Sequence, residues 1–215
     1  MFYEPRLGQS DLTIDPLKAL VVPRPIGWIS SVDLAGRVNL APFSFFNLVA
    51  EAPPIVIFAP TGTKPDGSLK DSRRNVEETG AFVVNLATWD LREAMNATSA
   101  SLPAGADESV ATGLVMVPSR IVVAPRVAAS PVALECRYLR TVNLPTLDPK
   151  EPNDVLFGEI VGINSDDRLI VDGRVDITIA KPLARLGYSL YTVVEQVFAM
   201  KRPQNAQVTT PDKAK

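Results

Sequence analysis

"WISSVDLAGRVNLAPFSFF", running from Trp28 to Phe46, decides the fold. Two arms rich in β-branched and aromatic residues, Trp28–Asp33 and Val38–Phe46, flank the segment Leu34–Arg37, and Gly36 supplies the turn. That arrangement reads as a β-hairpin. Pro42 lies inside the second arm and has no N–H to give to a ladder. The arm is therefore an edge strand, or is bulged, or leaves the sheet midway.

Strand signals dominate outward from the hairpin. Pro53–Ala59 and Ala81–Thr88 are apolar on both faces and read as buried strands. In Val132–Val142, Val132, Leu134, Cys136 and Tyr138 alternate with Glu135 and Arg137, which predicts one wet face. Arg120–Val123 and Val155–Asn164 complete the set of strands. The helices are few and short. One spans Lys70–Gly80. A second begins at Asp90, where Asp90 and Glu93 resemble a capping box and Leu91, Met95 and Thr98 share a face. Glu108–Thr112 adds one turn before Gly113, and Val171–Arg174 is a turn. Seven or so strands with short helical covers predict a mainly β chain, a closed or nearly closed β-barrel. The 215 residues suffice for one substantial domain. It is assigned to residues 1–200, with 201–215 as a flexible tail, because Val208 is the only branched aliphatic residue after Met200.

A hydrophobic fraction of 46% supports a real core and excludes global disorder. A net charge of −2 with no basic block argues against nucleic acid as a partner. No uncharged run is longer than Val38–Ala50, which contains Pro42, Ser44 and two asparagines and is too short and too polar for a membrane span of about 20 residues. Glu4, Arg6, Asp11 and Asp15 leave no apolar stretch for a signal peptide, and the lone Cys136 forms no internal disulfide, so the expected location is cytoplasmic. The chain has no histidine. That removes Ser-His-Asp and Cys-His catalysis and His-ligated metals, and one cysteine makes no thiolate metal site. Neither GxGxxG nor GxxxxGK[ST] occurs. Such a chain either does no chemistry or borrows it from an organic cofactor.

"KDSRRNVEETG", Lys70 to Gly80, is the first candidate site. It reads as a helix with Asp71 or Ser72 capping its start and Gly80 stopping it. Its charges are reversed: Lys70, Arg73 and Arg74 crowd the positive end of the dipole, while Glu77 and Glu78 lie near the negative end. Each misplaced exposed charge costs about 0.3–1 kcal/mol. Free N–H groups and cations at a helix start make an anion site, most often for phosphate, to which Ser72 and Asn75 add neutral donors. The alternative is a solvated junction whose arginines pair with remote carboxylates. "NLAPFSFFN", Asn39 to Asn47, places Phe43, Phe45 and Phe46 around Ser44. It suits a flat heteroaromatic ligand whose edge takes backbone hydrogen bonds, or else the three rings are core. In "PRPIGWISS", Ser30 and Ser31 point to opposite faces of a strand, so one of them can face a ligand, whereas Trp28 reads as core. Cys136 reads as a packed small hydrophobe, and Lys181–Tyr191 as an aromatic lid or a core cover.

Together these stretches resemble the flavin reductase-like proteins of the FMN-binding split barrel. The matching pieces are "PRPIGWISSVDLAGRVNLAPFSFFN", "PPIVIFA", "KDSRRNVEETGAFVVNLAT", "EAMNATSASLPAGADE", "SPVALECRYL", "NDVLFGEIVGI" and "PLARLGYSLY", in the family's order and covering most of residues 18–192. Ser72 stands where the family usually has Thr, and Gly187-Tyr188 where it frequently has Gly-Gly. The resemblance implies a split β-barrel of Greek-key type, assembled as a homodimer with FMN near the subunit interface. It assigns Ser30, Ser31, Lys70, Asp71, Ser72, Arg74 and Asn75 to the phosphate and ribityl end. It assigns Ser44, Phe45 and Phe46, largely through backbone groups, to the isoalloxazine ring, with Trp28 and Arg24 as further contacts. No side chain is nominated as acid or base. The implied activity is an oxidoreductase that takes a hydride from NADH or NADPH and passes electrons to free flavin or another small-molecule or protein acceptor. The alternatives are an FMN electron carrier that docks on a redox partner, and a split barrel that binds no flavin.

Overall fold

The computed structural model describes residues 2, 4, 14–100 and 108–201, so the tail expected at 201–215 lies outside the described residues apart from Lys201. Seven strands build the main sheet: β1 (Gly27–Val32), β2 (Val38–Phe43), β3 (Phe46–Glu51), β4 (Pro54–Phe58), β5 (Ala81–Leu86), β6 (Val132–Leu144) and β7 (Asn153–Ser165). Every neighbouring pair is antiparallel, in the order β2-β1-β5-β6-β7-β4-β3.

The two edges of this sheet, β2 and β3, are consecutive in the chain and joined only by Ser44 and Phe45. In a flat sheet seven strands would hold their edges about 29 Å apart. Three Cα–Cα steps from Phe43 to Phe46 span at most about 11 Å. The sheet therefore curls until its edges meet at this bend, and the seam between β2 and β3 is the split in the barrel. The hairpin forms as expected, with Gly36 at φ 79° and Trp28 opposite Pro42. Because β2 is an edge, the missing N–H of Pro42 breaks no ladder. The expected single arm Val38–Phe46 instead breaks at Ser44, and its last residue opens β3 on the far edge.

Alternate residues of β1 serve two cores. Ile29 joins Val56, Phe58, Phe82 and Leu156 inside the barrel, and Trp28 joins Leu40, Met95 and Val127 outside it. Of the helices α1 (Leu17–Leu20), α2 (Asp71–Thr79), α3 (Arg92–Ala97) and α4 (Glu108–Thr112), α2 sends Val76 into the barrel core. Its buried residues Ser72, Asn75 and Val76 lie three and four positions apart, one helical face. The residue that caps α2 is Lys70 rather than Asp71 or Ser72, and no side-chain bond closes the cap. Gly80 ends the helix at φ 73°, as expected. α3 starts after Leu91 with no capping bond, so the Asp90–Glu93 pair does not form its start, although Met95 and Thr98 are buried as predicted. None of the helices among the described residues is long and apolar enough to cross a membrane.

Two strand-level expectations fail together. Glu135 is buried rather than wet, and Arg120–Val123 is no strand. The backbone N–H groups of Arg120, Ile121 and Val122 donate to the Glu135 carboxylate at 2.9, 2.6 and 3.3 Å, and the Asn164 amide donates at 2.8 Å. A buried carboxylate must find donors, and it takes the amides that a strand would have used. Burial pushes the Glu135 carboxyl up, but these donors more than cancel that and hold it below its ordinary value.

Candidate functional site

The cations at the start of α2 divide three ways. Arg73 turns to β7, where its guanidinium pairs with the buried carboxylate of Asp154, and it also reaches Glu77 at 3.2 Å. Arg74 folds back on Asp71 at 2.5 Å, and the second oxygen of Asp71 accepts from Lys64 at 2.7 Å. Lys70 makes no ion pair among the described residues, and it sits at the uncapped helix start. The remote carboxylate foreseen for a solvated junction thus exists for Arg73, while Arg74 pairs locally with Asp71 and Lys70 has no ion pair among the described residues.

Ser31 and Asn39 face each other across the hairpin, on the face that meets α2. The Asn39 amide donates to Ser72 at 2.7 Å, and the Asn75 amide lies 3.4 Å from the Ser31 hydroxyl. All four side chains are buried, and the Asn75 carbonyl oxygen has no partner. This group anchors α2 to the hairpin directly beneath its N-terminus. Ser30 and Trp28 point the other way. The Ser30 hydroxyl donates to the Pro125 carbonyl at 2.5 Å and accepts from Asn85 at 3.0 Å, and the Trp28 indole donates to Thr98 at 2.9 Å. Both are fully buried and neither lines a cavity described below.

Two cavities share Pro42, Phe43 and Lys70 and form one cleft along the β2 edge. The narrow end, about 140 Å³, is lined by Asn39, Lys64, Lys70, Asp71 and Ser72. The wide end, about 600 Å³, is lined by Lys18, Ser44, Phe45, Arg185 and Tyr188. Lysines and arginines outnumber acids in both linings, so the whole cleft favours an anionic ligand. Ser44 and Phe45 lie at the bend that joins the barrel edges, and the Phe45 carbonyl accepts from the Ala59 N–H at 2.9 Å. Phe46, one residue on, packs against the barrel core and lines a cavity of about 500 Å³ that shares Arg24, Ser44, Phe45, Ala59 and Thr61 with the wide end. Arg24 is buried and spends its guanidinium on the carbonyls of Lys18, Val21 and Leu186 at 2.5–2.8 Å, which ties α1 to the Leu183–Arg185 strand end.

The structure thus gathers Lys70, Asp71, Ser72, Ser44 and Phe45 around one cleft, keeps Ser31, Asn75 and Arg74 as its supports, and leaves Trp28 and Ser30 on the opposite face of β1. Lys64 and Lys18 were not legible as site residues, and Asn39 only as the flank of the aromatic stretch. Asn39 had a signal, since a hairpin turning at Gly36 sets it opposite Ser31. Lys64 and Lys18 reach the cleft from a loop and from α1, and their sequence surroundings carry no mark of it.

The chain is similar to known proteins in sequence and in fold. The model of the flavin reductase-like domain matches residues 19–175. An uncharacterized protein of Halalkalibacterium halodurans is 36% identical over 187 residues, 87% of this chain and 89% of its own. Among solved structures, nitrilotriacetate monooxygenase component B from Bacillus cereus superposes with a TM-score of 0.80 at 28% identity, covering 89% of this chain and all of that one. The 2-nitrobenzoate 2-nitroreductase of Pseudomonas fluorescens superposes at 0.75 with 27% identity, covering 92% of each chain.

Proposed function

The chain belongs to the flavin reductase-like family, and from that membership we propose that it binds FMN along the β2 cleft and works as an oxidoreductase between NADH or NADPH and a second acceptor. The observation that carries the reading is Lys70: a lysine without an ion pair among the described residues, at an uncapped helix start, opening onto a cleft that runs to an aromatic end. A phosphate there meets the partial positive charge of α2 and the Lys70 ammonium together. The Ser72 hydroxyl lines the same end, and Asp71 is already occupied by Lys64 and Arg74, so it does not repel the anion as a free carboxylate would. Ser44 and Phe45 line the wide end, where a flat ring has room.

Bound there, FMN supplies a ring that accepts a hydride and releases electrons singly or in pairs. The protein's share is to hold the phosphate, to orient the ring against the Ser44–Phe45 bend, and to leave one face open to the nicotinamide. The nitroreductase and the monooxygenase component among its structural relatives make both a small organic molecule and a partner protein reasonable acceptors. A homodimer completes the proposal.

The test is the visible spectrum of the protein purified with excess FMN, followed anaerobically on adding NADH and then NADPH. A yellow protein bleached by either nucleotide supports the reading. A yellow protein bleached only by dithionite replaces it with the electron carrier, and a colourless protein overturns it.

A further inference from the structure

We propose that Tyr188 is the ring-end binding residue of the cleft, stacking its phenol on a flat conjugated ring held against the Ser44–Phe45 bend; this rests on the FMN reading above. Tyr188 has φ 56°, the left-handed region in which a residue with a side chain carries a conformational cost that glycine avoids. Strain of this kind persists where the surroundings over-determine it, and it clusters at ligand sites.

Here the surroundings do so from three sides. The guanidinium of Arg24 holds the Leu186 carbonyl at 2.8 Å. Gly187 is pinned against α1, where a Cβ would stand 2.3 Å from that of Ala19. Arg185 donates to the Tyr188 carbonyl and to the Tyr191 hydroxyl, with its guanidinium 4.4 Å from the Tyr191 ring centroid. The turn closes with the Leu190 N–H on the Gly187 carbonyl at 3.0 Å.

The side chain so presented is 50% exposed and lines the wide end of the cleft together with Phe45, which is itself 41% exposed. Half of Tyr188 is exposed over this cavity of about 600 Å³, whereas the Phe45 ring already has the Lys18 ammonium 6.0 Å from its centroid. A conjugated ring whose edge meets the Ser44–Phe45 bend takes the Tyr188 phenol on one face and keeps the other open, and its anionic tail runs toward Lys70. This contact differs in kind from the one at Lys70, because it does not involve the phosphate.

The experiment titrates FMN and riboflavin against the parent, Tyr188→Gly and Tyr188→Phe, recording affinity, the fluorescence of the bound flavin and the melting temperature. Stacked phenol quenches flavin fluorescence. Tyr188→Gly should weaken both flavins alike, by about three- to tenfold, and brighten the bound flavin. Glycine suits the positive φ, so its melting temperature should not fall. Tyr188→Phe should keep the affinity. The proposal is overturned if Tyr188→Gly binds both flavins as the parent does with unchanged fluorescence, or if it loses FMN alone. A parent that binds neither flavin overturns the FMN reading and this proposal together. A parent that binds FMN while Tyr188→Gly is indifferent overturns this proposal only.

Discussion

Arg73 and Asp154 pair inside the protein, 81 positions apart, and the link fastens the first turn of α2 to the start of β7. Asp154 is almost wholly buried, with the Asn143 amide as its other partner. Truncating Arg73 would leave a carboxylate buried and uncompensated. Arg73→Ala should therefore cost about 3–5 kcal/mol in urea unfolding, and adding Asp154→Asn should recover part of it. An Arg73→Ala protein as stable as the parent would show that the pair is relaxed by water.

Lys70 has the opposite character, since no carboxylate among the described residues holds it. Charge-assisted bonds to phosphate contribute about 1.5–3 kcal/mol. Lys70→Ala should weaken FMN about 10- to 100-fold and leave riboflavin nearly unaffected. Equal losses for the two flavins would place the phosphate elsewhere.

Glu135 predicts an acid limb in the stability curve. Its carboxyl lies below its ordinary value of 4.5, so it binds a proton more readily in the unfolded chain. The stability it contributes is complete above that ordinary value and is lost as pH falls through the lower folded one. Glu135→Gln turns one acceptor into a donor facing backbone N–H groups, at a cost of about 1–3 kcal/mol near neutrality. The gap between variant and parent should narrow in acid; a gap independent of pH would show that the charge is irrelevant.

The edge strand β3 exposes Leu48 and Val49 by 50% and 49%, beside the half-exposed Phe45. Apolar residues on an unpaired edge are a pairing surface. Light scattering of the FMN-loaded protein should give a dimer at micromolar concentration, with an interface above about 2,000 Å². A stable monomer would contradict this.

Much of the barrel was written locally. Gly36 and Gly80 sit at positive φ, where turns and helix ends need them, and Pro42 lies on an edge strand, one of the three places its missing N–H allowed. The two-sided apolar run of β5 announced its burial, whereas β4 buries only Val56 and Phe58, on one face. Such signals depend on a residue and its near neighbours, so they can be read along the chain. The start of α2, with its reversed charges, and the aromatic stretch around Ser44 lie along one cleft, lined by Lys70, Ser72, Ser44 and Phe45.

Only the tertiary structure decided which residue does what. Ser30 and Ser31 differ by one position, but which of them meets α2 depended on what packs against each face of β1. Arg73 became structural because Asp154 came within reach, and Lys70 has no ion pair among the described residues. Glu135 took the amides of a segment that otherwise reads as a strand. The charge and hydrogen-bond partners of a side chain lie within a few ångströms in space but up to 81 positions away in the chain, and only the closed barrel brings them together.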